Sequence, residues 1–424
     1  MGAGSATRVR PAEPGPAGRR MAASRTAAWA LAWASACTGT SFSTGLLASR
    51  PGRVSAPPLP TSAPPPGALP PAANTAPPAT PATAPPPASD FVSAQGGGFS
   101  RGGQPLTLLG LQASLPGLMY CEFTSAELDA ALVAMAQKAS ANIVRLWFLQ
   151  AAGGPGHWEN FDAAVAAAKR HSLLVLPTLV NQWGDCEPLV QGQKHYKRRA
   201  WYESGYQVAG AGYPLSFRDY AVAVADHFKD EPAIAMWQLV NEAEAREPDQ
   251  SCAPGTAAVI RTFADDMASR LHAAAPYHLV NLGTAAKDRS QCGTVDDDFR
   301  LLHAGAIDAC EIHTYDPADT ALPPYLAAQI ERCRALKKPI FMGEVGICRN
   351  LQADGSCAGN ASDATLARRA AGMDKKIRAG LQAGLAGHLL WQYSPTAGAF
   401  VDPTYGVGPA DPILGVLDAL ARGP

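Results

Sequence analysis

At 424 residues the chain is longer than one average domain, and its 35 basic and 36 acidic side chains nearly cancel, to a net charge of −1 at pH 7. The charges are unevenly placed: residues 1–89 hold seven arginines and one glutamate, which leaves 28 basic and 35 acidic residues and a net charge of −7 for residues 90–424. A mildly acidic domain is a poor nucleic-acid binder, because phosphate contact needs concentrated Lys and Arg, and the sequence has no run of eighteen apolar residues to cross a membrane as a helix.

Residues 19–37 read RRMAASRTAAWALAWASAC. A basic start, a short apolar core and a small-residue end form a secretory signal, with Met21 as an alternative start. Ala34-Ser35-Ala36-Cys37 reads in two ways. It is a lipobox in which Cys37 is lipidated, although Leu is more usual where Ala34 stands, or it is an ordinary cleavage site. Both readings put the protein outside the cell, secreted or held at the surface, with no membrane contact beyond a lipid anchor. Residues 51–89 contain 15 of the 37 prolines. Such a segment cannot bury a core and stays extended and solvated, as a spacer. The expected organisation is a signal over 1–37, a Pro/Ala-rich linker over 38–89 and one folded domain over 90–424.

From residue 105 the pattern alternates. Near-continuous apolar runs at 105–113, 142–149, 173–180, 233–241, 277–284, 307–315, 339–347 and 387–394 read as parallel strands buried on both faces. Helical segments lie between them. One starts at Ser125; another, SFRDYAVAVADHF, puts Tyr220, Ala223, Val224, His227 and Phe228 on one face. Only the connection near 296–305 is weakly helical. Eight β/α alternations predict an α/β protein of the (β/α)8 TIM-barrel type. The alternative is an open doubly wound sheet, which lacks here a Gly-rich phosphate loop after any strand.

In such a barrel, chemistry sits at the C-terminal ends of the strands. Glu242 ends the fourth strand and Glu344 the seventh. Two carboxyls facing each other across the mouth are the working pair of most glycoside hydrolases, and a separation of about 5–5.5 Å predicts retention. Glu242 is then the general acid/base and Glu344 the nucleophile. Arg145, expected at the end of an otherwise apolar second strand, can hold a carboxylate ionised. Asn241 can bond a sugar hydroxyl. His313 and Tyr315, two apart on the sixth strand, point the same way and can steer the glutamates. Trp147, Trp183 and Trp391 lie at strand ends, where sugars stack on aromatic faces; Trp237 is expected in the core. The loop 184–215, with His195, Lys197, Arg198, Arg199, Trp201, Tyr202 and Tyr206, is the expected specificity element. There Tyr202 is a substrate contact and the basic-aromatic cluster faces an anionic or branched sugar, unless its aromatics pack down. The loop 395–411, with Phe400 and Tyr405, is expected to wall the other side.

Beyond Cys37 there are eight cysteines, an even number that suggests disulfides in an exported domain. Cys348 and Cys357 flank a polar Gly-containing loop and are the expected bridge. The further pairings expected, with no spacing argument behind them, are Cys252–Cys292, Cys310–Cys333 and Cys121–Cys186; reduced, buried cysteines are the alternative. No zinc spacing and no strand-end Schiff-base lysine is present, so a metal site is not expected.

The run W-x-L-x-N-E from Trp237 to Glu242, Glu344 followed by Val-Gly, and Arg145 resemble the clan A glycoside hydrolases, and most of all family 5, the cellulase and β-mannanase group. Arg145-Leu-Trp147, Asn181-x-Trp183, His313-x-Tyr315 and Trp391-Gln392 are similar to its mannanase branch. The likeness spans roughly residues 95–420. It implies a TIM barrel, a retaining mechanism, no cofactor, Glu242 as acid/base, Glu344 as nucleophile, Arg145, Asn241, His313 and Tyr315 in support, and Asn181 near the substrate. Two departures stand out: Ala243 where the family usually has Pro, and Glu244 where mannanases often carry Arg, an extra carboxylate near the mouth. The expected function is hydrolysis of a β-1,4-linked polysaccharide or oligosaccharide by a monomer, mannan before glucan. Endo and exo action stay open, and a non-catalytic surface saccharide-binding protein is the distant alternative.

Overall fold

The protein is described from a computed structural model, which covers residues 86–119, 121–286, 292–294, 297–315, 322–396 and 401–423. The description concerns the unit that spans residues 80–424. The signal, Cys37, nearly all of the linker and Phe400 lie outside the described residues.

Eight strands form one parallel sheet: β4 (Leu108–Ala113), β5 (Ile143–Trp147), β6 (Leu174–Thr178), β7 (Met236–Gln238), β8 (Leu279–Asn281), β9 (Cys310–Thr314), β10 (Ile340–Val345) and β11 (Gly387–Leu390). Strand β4 pairs with both β5 and β11, so chain start and chain end meet side by side. The remaining gap is closed by a parallel bridge between Asn281 and Ala309 and by the Asp308 N–H donating to the Val280 carbonyl at 2.8 Å. The result is the closed (β/α)8 barrel that the alternation predicted, not an open sheet. The weakly patterned connection carries a short helix, Asp297–His303.

Local sequence chemistry explains the helix starts. Thr124 caps the helix Ser125–Lys138 through a reciprocal box with Glu127, and Ser362 does the same for Asp363–Gln382 with Thr365. Along Phe217–His227 the buried stripe is Tyr220, Ala221, Val224 and Ala225. His227 does not join it as expected: its ring stacks on Trp158 and Nε2 meets Asp162 at 2.7 Å, because a polar imidazole gains more from a carboxylate at the rim than from burial.

Inside the barrel, each strand's period-two alternation sorts the inward side chains by height. The lower layers are apolar: Leu108, Ile143, Leu174, Met236, Ala309, Phe341 and Leu389 pack together. Below them sits a small antiparallel sheet, β1 (Ser93–Gln95), β2 (Gly98–Arg101) and β3 (Gln104–Leu106), whose Phe99 meets Phe341 edge-on at 5.9 Å. The upper layer, toward the C-terminal strand ends, is polar: Gln112, Arg145, Thr178, Gln238, Glu311, His313 and Glu344, all buried.

Four disulfides tie the long connections: Cys121–Cys186, Cys252–Cys292, Cys310–Cys333 and Cys348–Cys357. All four expected pairings form. Loop-closure entropy scales with the residues enclosed, 65 for the first and 9 for the last. Replacing both cysteines of Cys121–Cys186 by serine is expected to cost about 4 kcal/mol of stability, against about 2.5 kcal/mol for Cys348–Cys357. Urea unfolding midpoints check the order; a larger loss at Cys348–Cys357 would contradict it.

Candidate active site

The polar layer is organised around one guanidinium. Arg145 is fully buried, and all five of its N–H groups are used. Nε and Nη2 donate to Gln238 Oε1 at 2.9 and 2.7 Å, Nη2 also to Asn241 Oδ1 at 2.7 Å, and Nη1 to Gln112 Oε1 at 2.9 Å and Glu344 Oε1 at 2.6 Å. A buried arginine demands this, because each unpaired donor would forfeit its hydration without return. It sits in the middle of β5 rather than at its end. The guanidinium carbon lies 5.1 Å from the centroid of the Trp147 ring, and Trp147 packs edge-on against Trp391 at 6.1 Å.

Glu344 and Glu242 are each 3% exposed. Glu344 Oε2 accepts from the Tyr315 hydroxyl at 2.6 Å. Glu242 Oε2 accepts from Trp183 Nε1 at 2.7 Å. His313 Nδ1 lies between the two carboxylates, 3.3 Å from Glu242 Oε1 and 3.4 Å from Glu344 Oε2. One oxygen of each glutamate and one imidazole nitrogen lie within 4.8 Å of one another. Such a trio has the donor atoms of a cation site, but here Arg145 and His313 already bring positive charge to the carboxylates. Glu242 also holds a left-handed backbone, φ 55°, a conformation that non-glycine residues adopt at a cost of about 1–3 kcal/mol and that concentrates at functional sites.

Burial alone would push the His313 imidazolium down. The Glu344 charge and the hydrogen bonds to Glu242 and Glu311 outweigh it and lift His313 to about 9. Four other histidines go the opposite way, His278 among them through its burial. Burial lowers His303 to about 4 and His388 to about 3, and burial with Lys197 nearby lowers His195 to about 4.

The structure gathers Glu242, Glu344, Arg145, Asn241, His313, Tyr315, Trp183 and Trp391 at one mouth. Asn181 joins as a brace: its Oδ1 accepts from Asn241 Nδ2 at 3.0 Å and its own Nδ2 reaches the Asp185 carbonyl. Trp391 is anchored through Nε1 to Asp402 Oδ2 at 3.1 Å. Trp237 is core, as expected. Tyr202 is placed elsewhere. It is 1% exposed, its hydroxyl donates to Gln182, and its ring packs in a cluster with Trp201 and Phe263. It has no face left for a sugar, and its neighbours Trp201 and Tyr206 are packed down on Phe263 too.

The loop's cations are spent internally as well. Lys197 makes a buried ion pair with Glu187, Arg199 reaches Glu203 and Glu247, and Arg198 lies over the Tyr196 ring at 5.0 Å. The expected basic face toward an anionic sugar is therefore absent among the described residues. Glu244 is also not a loose carboxylate at the mouth: it is buried against Arg246 Nε at 2.6 Å and the Tyr196 hydroxyl.

Sequence reasoning missed Gln112, Gln238, Glu311, Tyr196 and Asp402. Glu311 carried a usable signal, being a charged residue two positions before His313 in an apolar strand and thus on the same face. Tyr196 packs edge-on against Trp183 at 5.4 Å, which only the fold of a long loop decides.

No family model matches the chain. By sequence it is 26% identical over 285 residues to a probable mannan endo-1,4-beta-mannosidase F of Neosartorya fischeri, covering 62% of this chain and 56% of that protein. It is 25% identical over 301 residues to a putative mannan endo-1,4-beta-mannosidase 9 of Oryza sativa, covering 60% and 71%. The chain thus spans little more than half the length of the fungal relative. By structure it is similar to an endo-1,4-beta-mannanase from Rhizomucor miehei, with a TM-score of 0.59 at 16% identity over 78% of this chain and 98% of that one. The structural likeness establishes the class, a (β/α)8 barrel. Within it, the sequence likenesses are to proteins named mannan endo-1,4-beta-mannosidases.

The histidine shifts set the stability profile. His313, raised in the folded state, contributes stability that is complete below about pH 6.5 and lost as the pH rises through about 9. His303 and His388, lowered in the folded state, leave the unfolded chain binding more protons, so stability falls as the pH drops below 6.5. The urea midpoint is expected to peak near neutrality, and the His313→Asn variant to lose the alkaline decline. A wild-type midpoint that does not decline between pH 7 and 9.5 would contradict the His313 assignment.

Proposed function

We propose that the chain is a retaining glycoside hydrolase that cleaves β-1,4-linked mannan internally, by double displacement. The observation that carries this reading is the pair Glu242–Glu344: two buried carboxylates with oxygens within 4.8 Å of each other, at the mouth of a (β/α)8 barrel. That closeness suits direct attack; an inverting pair needs about 6.5–9.5 Å to admit a water.

Glu344 is the nucleophile. Arg145 and the Tyr315 hydroxyl hold one oxygen each, so its orientation is fixed before substrate arrives. It attacks the anomeric carbon as the glycosidic C–O bond breaks, and Glu242 gives its proton to the departing oxygen. Glu242 then takes a proton from water, whose oxygen attacks the same carbon and releases Glu344. Asn241 orients the sugar 2-hydroxyl, and Trp183 and Trp391 offer aromatic surface to sugar C–H faces.

The names of the sequence relatives favour mannan and endo action. Four disulfides fit an oxidising compartment. With the apolar segment before Cys37, they support export, either free or held by a lipid on Cys37 behind the Pro-rich spacer. The acidic domain favours a monomer acting on neutral polysaccharide rather than on nucleic acid.

The test is hydrolysis of mannan, glucomannan, a soluble cellulose derivative, xylan and aryl-β-glycosides, with the product anomer followed by NMR. Mannan cleaved to oligosaccharides with retention is expected. Glu344→Ala is expected to lose a factor on the order of 10⁴ or more on every substrate. Glu242→Ala is expected to lose about 10²–10⁴-fold on mannan, and less on aryl glycosides whose leaving group needs no proton. A folded wild-type protein inactive on the whole panel, or an unimpaired Glu344→Ala, would sink the proposal.

A further inference from the structure

A third carboxylate lies directly beneath the pair. Glu311, the second residue of β9, is fully buried. Its Oε1 faces His313 Nε2 at 2.9 Å and accepts from Gln238 Nε2, while Oε2 meets no donor among the described residues. The room for it is made by Gly343, the residue before Glu344. A Cβ at that position would fall 1.6 Å from Glu311 Oε1, so no side chain larger than hydrogen fits there while the carboxylate stays. The preceding β10 residue and the β9 glutamate are thus matched in space.

The imidazole is caught between acceptors on both sides. Nε2 faces the Glu311 carboxylate, and Nδ1 faces oxygens of Glu242 and Glu344 at 3.3 and 3.4 Å. A neutral imidazole has one N–H. With its proton on Nδ1, the Nε2 lone pair would point at a carboxylate oxygen 2.9 Å away; with the proton on Nε2, the Nδ1 lone pair would point at two. With both glutamates ionised, only the doubly protonated ring satisfies both sides; with Glu242 protonated, the Glu344 carboxylate 3.4 Å away, whose oxygen only accepts, still calls for Nδ1–H. We propose that Glu311 is a positioning residue for the hydrolysis proposed above, on which this inference rests: its carboxylate takes the Nε2–H of His313, keeps the ring an imidazolium, and so presents Nδ1–H to the Glu242–Glu344 pair.

Charge balance agrees. The groups around His313 are Glu242, Glu311 and Glu344, with Tyr315 on Glu344 and Arg145 behind it. Arg145 and the imidazolium offset Glu311 and Glu344, which leaves the cluster neutral while Glu242 carries the proton it must donate. A buried cluster of net charge would be costly. Glu311 is the member of this set that is remote from the substrate-facing mouth, so its function is exerted through His313 and not on the sugar.

The test is NMR of the full chain labelled with ¹⁵N-histidine, the His313 signal assigned by its loss in His313→Asn. In the wild type, His313 is expected to hold protons on both ring nitrogens at pH 7 and to titrate well above 6.5, near 9. In Glu311→Gln, of nearly the same shape, the His313 midpoint is expected to fall by about one unit or more, since one unit corresponds to a tenfold change in the proton affinity. At pH 8, kcat is expected to fall about tenfold with little change in KM. A wild-type His313 that is singly protonated at pH 7 overturns the proposal, and this needs no variant to fold. So does a folded Glu311→Gln protein whose His313 midpoint stays put, whatever its melting temperature does. Inactivity of the wild type on every sugar would instead defeat the hydrolase reading, and the NMR result would still decide the Glu311–His313 link.

Discussion

A guanidinium enclosed in a protein interior must satisfy five N–H donors, and Arg145 imposes that demand on the whole upper half of the barrel. Gln112 from β4, Gln238 and Asn241 from the β7 region and Glu344 from β10 all turn inward to meet it. Once Gln238 gives its carbonyl to the arginine, its amide can only donate, and the available acceptor is Glu311. Glu311 in turn takes one side of His313, and His313 reaches both glutamates. Each link fixes the rotamer of the next. Removing one member therefore leaves a buried charge or donor stranded, a loss of several kcal/mol. The arrangement is pre-organised in the sense that little side-chain freedom remains to be lost when a substrate arrives.

That network is affordable because the same strands supply an apolar floor. Two residues below the polar layer, leucine, isoleucine, methionine and phenylalanine fill the barrel, and the N-terminal sheet closes it from beneath. The vertical division separates stability from chemistry along every strand. It also keeps the polar layer out of bulk water on one side, which strengthens each charge–charge contact above what it would be at a surface.

Among the described residues, the charges of the loop after β6 are met by nearby partners. In the segment after β6, Lys197, Arg198 and Arg199 are paired or stacked, and Trp201, Tyr202 and Tyr206 form a core of their own against Phe263. Glu244 is cancelled by Arg246. Among the described residues, aromatic rings remain toward the mouth: Trp183 with Tyr196 on one side, Trp391 with its Asp402 anchor on the other.

The eight-fold alternation, and with it the barrel, was written in the sequence, because buried parallel strands need near-continuous apolar runs and surface helices need periodic ones. The two glutamates and Arg145 were legible for a related reason: a charged residue in such a run has no structural excuse unless it meets a partner. Glu311 obeyed the same rule and was passed over, since a single strand does not reveal which charge answers it. Apart from Cys348–Cys357, which flank a short polar loop, the disulfide pairs had no local signal, and nor did the burial of Tyr202. They depend on which loops meet over the barrel rim, a matter of long-range packing. Sequence determined the repertoire of side chains and the height each reaches in the barrel, through the period of the strand. Only the tertiary structure decided which of them meet, because hydrogen bonds from Arg145 to Glu344 and from Trp183 to Glu242 join residues 199 and 59 positions apart.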